Sequence, residues 1–169
     1  MRATGMAAAA IVLLGCQQAA ETPEQRDARI TTESAAARTA IEARNAEFMT
    51  HFNQGHGEQV AALYAEDGAV MAPNAPAVEG HAAIQRMVTD FAAMKAQVTL
   101  ITQSVVANGP MALERGTFRM TFMPPGATTA AADTGKYLVH WRNVDGKWLL
   151  VEDMFNSDLP MTAPPPAKK

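Results

Sequence analysis

His140 and Asp153 are residue types that move protons together. A carboxylate beside an imidazole keeps the ring charged or fixes its tautomer, and in an apolar cup the pair can move a proton next to a carbonyl. Their relative position depends on the turn between them. Asp145-Gly146 is the strongest short hairpin signal, a two-residue type I′ loop. Val144 then faces Lys147, and an unbroken ladder sets His140 opposite Val151 and Leu138 opposite Asp153. Paired residues share a face. Leu138, His140, Leu149, Val151, Asp153 and Phe155 therefore fall on one side, and Tyr137, Val139, Trp141, Trp148, Leu150, Glu152 and Met154 on the other. Both sides are largely apolar, so both are expected to be covered. The expectation is that the His140 and Asp153 side faces a pocket, the two lying about 7 Å apart diagonally at the backbone and forming a catalytic acid–base pair. The plainer alternatives are a structural acceptor for Asp153 and a satisfied half-buried ring for His140.

Further polar candidates surround this pair. Tyr64, at the end of a short helical segment, either points its hydroxyl into the cup or packs in the core. Glu114 shares its strand face with Gly116 and Phe118; turned inward it would be a buried carboxylate, but the expected orientation is outward, as a solvated charge beside a neighbouring arginine. Asn156 follows the last strand, where capping a turn competes with binding. Ligand contacts are expected from Tyr64, Met71, Leu138, Val151, Phe155 and Asn156. Met71 belongs to a set with Met87, Met94, Met111, Met120, Met123 and Met154 that suits an adaptable apolar interior.

Other chemistries lack their residues. His51 and His56 lie around a helix end, His81 opens another helix and His140 is on a strand. With no HExxH and no CxxC, no metal site is expected. No phosphate loop and no G-x-S-x-G elbow occurs. No cofactor is expected, which leaves proton transfer and hydration. With 14 Lys+Arg against 17 Asp+Glu, net −3, and no basic run except Lys168-Lys169, the chain lacks the basic stripe of a nucleic-acid binder.

The elements that must position these residues follow from periodicity. An apolar stripe of Ala37, Ala40, Ile41, Ala43, Phe48 and Phe52 predicts a long helix over 32–53, ended by Gly55 and Gly57. A short helix over 58–65 and a short strand over 69–72 come next, then breaks at Pro73 and Pro76. A third helix over 81–94 presents Ile84, Val88 and Phe91. The period then changes to strands over 97–107, 111–123, 136–143 and 147–155. Helices segregated from a strand meander make an α+β domain, with one curved sheet wrapped around the long helix.

Several segments, in order, carry a resemblance. They are Leu63-Tyr64-Ala65-Glu66-Asp67-Gly68-Ala69-Val70-Met71-Ala72-Pro73, Glu79-Gly80-His81-Ala82-Ala83-Ile84, Glu114-Arg115-Gly116-Thr117-Phe118, Gly135-Lys136-Tyr137-Leu138-Val139-His140-Trp141, Asp145-Gly146-Lys147-Trp148 and Asp153-Met154-Phe155-Asn156-Ser157-Asp158. Over about 34–158 the chain resembles SnoaL-like, ketosteroid isomerase-like members of the nuclear transport factor 2-like superfamily, closest to their bacterial stand-alone branch. The resemblance implies a cone-shaped, cystatin-like α+β barrel with an antiparallel sheet, a pocket at the open end, and often a homodimer. It does not fix function, since the superfamily holds isomerases, cyclases, dehydratases and non-enzymatic domains.

The N-terminus carries an address. Arg2 precedes an uncharged stretch from Ala3 to Gly15, the layout of a secretory signal. Leu13-Leu14-Gly15-Cys16 resembles a lipobox, and Cys16 is the only cysteine. The expected organisation is a lipoprotein signal peptide over 1–15, a lipidated Cys16 with a tether over 16–31, a domain over 32–158, and a Pro-rich disordered tail over 159–169. Gln17 is not the aspartate that marks inner-membrane retention, so the expected location is the outer membrane, facing the periplasm. Three functions follow: a membrane-tethered domain binding a small apolar or mixed ligand, a cofactor-free isomerase, cyclase or hydratase using Asp153 with His140 or Tyr64, and an interaction module dimerising through a Trp141 and Trp148 face.

Overall fold

The computed structural model describes residues 20–160. The signal segment and Cys16, and tail residues 161–169, lie outside the described residues. Helix α1 spans Pro23–Asn53 and begins nine residues before the helix expected from the apolar stripe. The reason is local. Thr22 accepts from the backbone N–H of Gln25 while its own N–H donates to Gln25 Oε1, a capping box, and Pro23 occupies the first turn, where its missing N–H costs nothing. Much of the expected tether is therefore helix. No described helix is long and apolar enough to cross a membrane.

Helix α2 is one short turn, Gly57–Ala61, and strand β1, Tyr64–Met71, starts earlier than expected. Tyr64 is thus the first residue of a strand rather than the last of a helix. Strand β2 (Val78–Glu79) pairs back on β1, and helix α3 (His81–Ala93) follows. Four long strands complete the chain: β3 (Gln97–Asn108), β4 (Met111–Phe122), β5 (Ala131–Val144) and β6 (Lys147–Ser157). The sheet order is β2-β1-β6-β5-β4-β3. All neighbours are antiparallel except β1 and β6, which run parallel, so the curved sheet of this α+β fold is mixed.

Helix α1 lies along β3 and is fastened to it side chain by side chain. Ser34 Oγ accepts from the Ala107 N–H, Arg38 donates to the Thr102 and Gln103 carbonyls, and Asn53 bridges both backbone groups of Val98. The helix and strand therefore run antiparallel, with Ile41, Asn45 and Phe52 turned into the core. Helix α3 closes the other side with buried Ile84 and Val88.

The β5–β6 hairpin turns where expected. Asp145 and Gly146 have φ of 51° and 85°, both in the left-handed region a type I′ turn requires, and Val144 pairs with Lys147. The ladder does not stay regular. Trp141 pairs with Leu150, but His140 pairs with Glu152, leaving Val151 as the extra residue of a β-bulge. Beyond it Val139 faces Asp153 and Tyr137 faces Phe155. The bulge moves Asp153 and Phe155 onto the face of Trp141, and moves Glu152 and Met154 onto the face of His140.

Candidate functional site

The helices and the inner face of the sheet enclose a cavity of about 70 Å3 that opens to solvent at one end. Five of the six phenylalanines line it. Phe48, Phe52 and Phe91 come from α1 and α3, with Phe52 stacked on Phe48 at 5.6 Å and tilted against Phe91 at 5.5 Å between ring centroids. Phe118 and Phe155 come from the sheet and meet edge to face at 5.7 Å. These spacings are those of favourable aromatic pairs.

Asp153 is the one carboxylate in this lining. Tyr64, fully buried at the start of β1, donates its hydroxyl hydrogen bond to Asp153 Oδ2 over 2.7 Å. In the parallel β1–β6 pairing Tyr64 lies opposite Leu150 and Val70 opposite Asp153, with a register shift between them, so the tyrosine side chain spans the distance to the carboxylate. Burial pushes the Asp153 carboxyl up to about 6; the bond from Tyr64 pulls the other way, and the charge of Glu114 adds to the rise. Burial also holds the Tyr64 hydroxyl well above its usual range, reinforced by the adjacent carboxylate. A carboxyl poised near neutrality at a cavity wall can accept or release a proton.

A second carboxylate sits beneath the same wall. Glu114 is completely buried, contrary to the outward orientation expected for it. Its Oε1 accepts from Asn45 Nδ2, the Thr102 hydroxyl and the Tyr137 hydroxyl, each at 2.7 Å, and its Oε2 accepts from Trp141 Nε1 at 3.0 Å. All four partners are neutral. Burial and the nearby Glu114 charge raise the Tyr137 hydroxyl above its ordinary range. Gly116 makes room for this ring: a Cβ there would lie 2.2 Å from Tyr137 Cζ.

Of the residues expected at the site, Asp153, Tyr64 and Phe155 meet at the cavity. His140 does not. The Val151 bulge leaves it on the opposite face, where its Nδ1 lies 3.0 Å from Glu152 Oε2. The expected His140–Asp153 pair therefore does not form, and Tyr64 is the partner of Asp153. Leu138 is exposed and Asn156 lies opposite Lys136; with Met154 they line a shallow groove on the outer face. Met71 pairs with Met154, while Val70 takes the cavity side. Val151 is buried, but as the bulge residue it does not line the cavity. Trp141 and Trp148 are buried and cannot form an exposed docking face; the exposed apolar residues of the long strands include Val106, Leu113, Leu138 and Met154. No three His, Cys, Asp or Glu side chains gather among the described residues.

Asn45 and the inward orientation of Glu114 both have a signal in the sequence. Asn45 interrupts the stripe Ile41, Phe48, Phe52 at helical spacing, the mark of a polar group turned into a core. In β4, Arg115, Thr117 and Arg119 alternate as a solvent face, which assigns Glu114 to the other side.

The SnoaL-like domain model matches residues 45–151, more than half of the chain. The chain belongs to the SnoaL-like domain family. The segment that defines this SnoaL-like domain contains Asn45, Tyr64, Glu114 and Tyr137 and stops two residues before Asp153. Among solved structures, a ketosteroid isomerase-like protein from Erwinia carotovora atroseptica is 21% identical, with a TM-score of 0.64 over 72% of this chain and 96% of that one. An NTF2-like protein with a cystatin-like fold from Novosphingobium aromaticivorans is 18% identical, with a TM-score of 0.63 over 83% and 90%. A putative scytalone dehydratase from the same organism is 18% identical, with a TM-score of 0.64 over 80% and 96%. At these identities the SnoaL-like domain shares their fold. No protein among curated sequences matches it.

Proposed function

We propose that this protein is an exported small-molecule-binding domain, tethered to a membrane through Cys16, that takes an organic ligand into its phenylalanine-lined cavity. The observation that carries this reading is the cavity itself: an apolar interior with one polar corner, where Asp153 and Tyr64 meet. A concave apolar site with few, placed polar groups is the usual form of a ligand pocket. The tether rests on the Leu13-Leu14-Gly15-Cys16 sequence, with lipid chains adding about 0.8 kcal/mol per buried methylene to membrane affinity. The outer membrane, facing the periplasm, is the proposed location.

Native mass spectrometry of the full-length protein, released gently from its own envelope, tests the ligand. A co-purifying small molecule is the expected result and names the class of compound. An empty protein in every preparation, unresponsive to added small molecules, would overturn the reading.

A second reading is favoured by one observation, the placement of the Asp153 carboxyl at the wall of an apolar cavity with Tyr64 on its Oδ2, where burial raises it to about 6. It makes the protein a cofactor-free isomerase, cyclase or hydratase, with Asp153 moving the proton and Tyr64 holding its carboxylate. The ketosteroid isomerase-like and scytalone dehydratase-like neighbours support this class by fold alone. Once a turnover is found, Asp153→Asn should abolish it and leave binding in place.

A further inference from the structure

We infer that the cavity selects organic cations: an ammonium group carried on an apolar or aromatic body. This rests on the reading of the cavity as a ligand site and names the class of ligand it takes.

The first argument is the direction of the hydrogen bonds. The polar donors of the wall are already turned onto carboxylates. Tyr64 donates to Asp153, Tyr137 donates to Glu114, and Asn45 Nδ2 donates to both Thr102 Oγ1 and Glu114. What remains toward a ligand is acceptor capacity. Asp153 Oδ1 takes no hydrogen bond among the described residues, and each tyrosine oxygen keeps lone pairs after donating its hydrogen. With Asp153 ionised, as at pH 8, a carbonyl or carboxylate ligand finds no free donor there, whereas an N–H ligand finds several acceptors.

The second argument is charge. The cavity lining contains Asp153 and no Lys, Arg or His. Glu114, just behind it, is also held by neutral groups only. Two carboxylates share one apolar region without a cation. Buried charges are ordinarily paired, since an unpaired one is costly. Neighbouring arginines are engaged elsewhere: Arg38 donates to the Thr102 and Gln103 carbonyls and Arg44 to the Trp148 carbonyl.

The third argument is the aromatic lining. Phe48, Phe52 and Phe91 from the helices, with Phe118 and Phe155 from the sheet, surround the same space. Aromatic rings attract a cation through their faces, most strongly where water is excluded. An acidic corner inside an aromatic cup suits a desolvated ammonium better than it suits a neutral or anionic group.

The test compares three ligands of similar shape on the full-length chain carrying Cys16→Ser, by calorimetry at pH 8: 2-phenylethylammonium, propylbenzene and 3-phenylpropanoate. The expected order is the ammonium tightest by about tenfold or more over propylbenzene, with 3-phenylpropanoate weakest. Asp153→Asn should bring the ammonium down to the level of propylbenzene, and Tyr64→Phe, which keeps the carboxylate, should retain the preference. Propylbenzene or 3-phenylpropanoate binding as well as the ammonium would overturn cation selection while leaving the pocket in place. No heat from any of the three on the unsubstituted cavity would overturn the pocket reading, and this inference with it. The ligand comparison needs no cavity variant, so a misfolded Asp153→Asn does not spoil it.

Discussion

Tyr64 donates to Asp153 Oδ2 over 2.7 Å, and this single bond joins the first residue of β1 to the carboxylate of β6. The two residues are 89 positions apart. The parallel pairing of these strands sets Tyr64 opposite Leu150, and its side chain reaches along β6 to the Asp153 carboxylate.

Tyr64→Phe removes the contact that lowers the Asp153 carboxyl, so its midpoint should rise above about 6. NMR titration of the Asp153 side-chain carbon reads it directly. Loss of this charge-assisted bond should also cost about 1–2 kcal/mol in urea unfolding. An unchanged midpoint would show that the bond does not act on Asp153.

Stability should depend on pH through Asp153 with a defined sign. Its folded value, about 6, exceeds the ordinary 3.8. The group therefore contributes stability in full below 3.8, and that contribution is lost as pH rises through about 6. A displacement of this size corresponds to at most about 3 kcal/mol. Asp153→Asn, which cannot ionise, should gain on the parent protein as pH goes from 4 to 7. Urea melts of both proteins across that range check it; a constant difference would contradict the assignment.

Glu114→Gln should destabilise the domain by about 2–3 kcal/mol, the range for hydrogen bonds to a charged group. It replaces one acceptor oxygen with an amide donor that faces donors already in place from Asn45, Thr102, Tyr137 and Trp141. Fluorescence of the buried Trp141 should shift in the folded state. A loss within about 0.5 kcal/mol would mean that the carboxylate is not the centre of this network.

Gly116→Ala should displace the Tyr137 ring, because the added Cβ would meet Cζ at 2.2 Å and the hydroxyl at 2.3 Å. Overpacking of this kind costs about 1–3 kcal/mol. The Tyr137–Glu114 bond should be lost as well, and Tyr137→Phe combined with Gly116→Ala should cost less than the sum of the two single changes. Simple additivity in a double-mutant cycle would argue against the contact.

The sequence by itself determined the order of the three described helices and of every strand but the two-residue β2, because helical and alternating periods are written locally and two residues are too few to show one. It determined the β5–β6 turn, since Asp145-Gly146 tolerates the left-handed backbone that a two-residue loop demands. It pointed to Asp153, Tyr64 and Phe155. The start of α1 was also legible in Thr22-Pro23-Glu24-Gln25, though the apolar stripe drew attention past it. Tertiary structure alone decided the partners. A regular ladder from the turn puts His140 and Asp153 on one face, but one extra residue, Val151, moves everything beyond it to the other face. No local pattern announces that bulge. Val151 is accommodated by how β6 fits between β5 and β1, which is a long-range property. Glu114 is the same lesson in burial: a glutamate is ordinarily exposed, and only the convergence of Asn45 from α1, Thr102 from β3 and Tyr137 and Trp141 from β5 supplies the donors that let it lie inside.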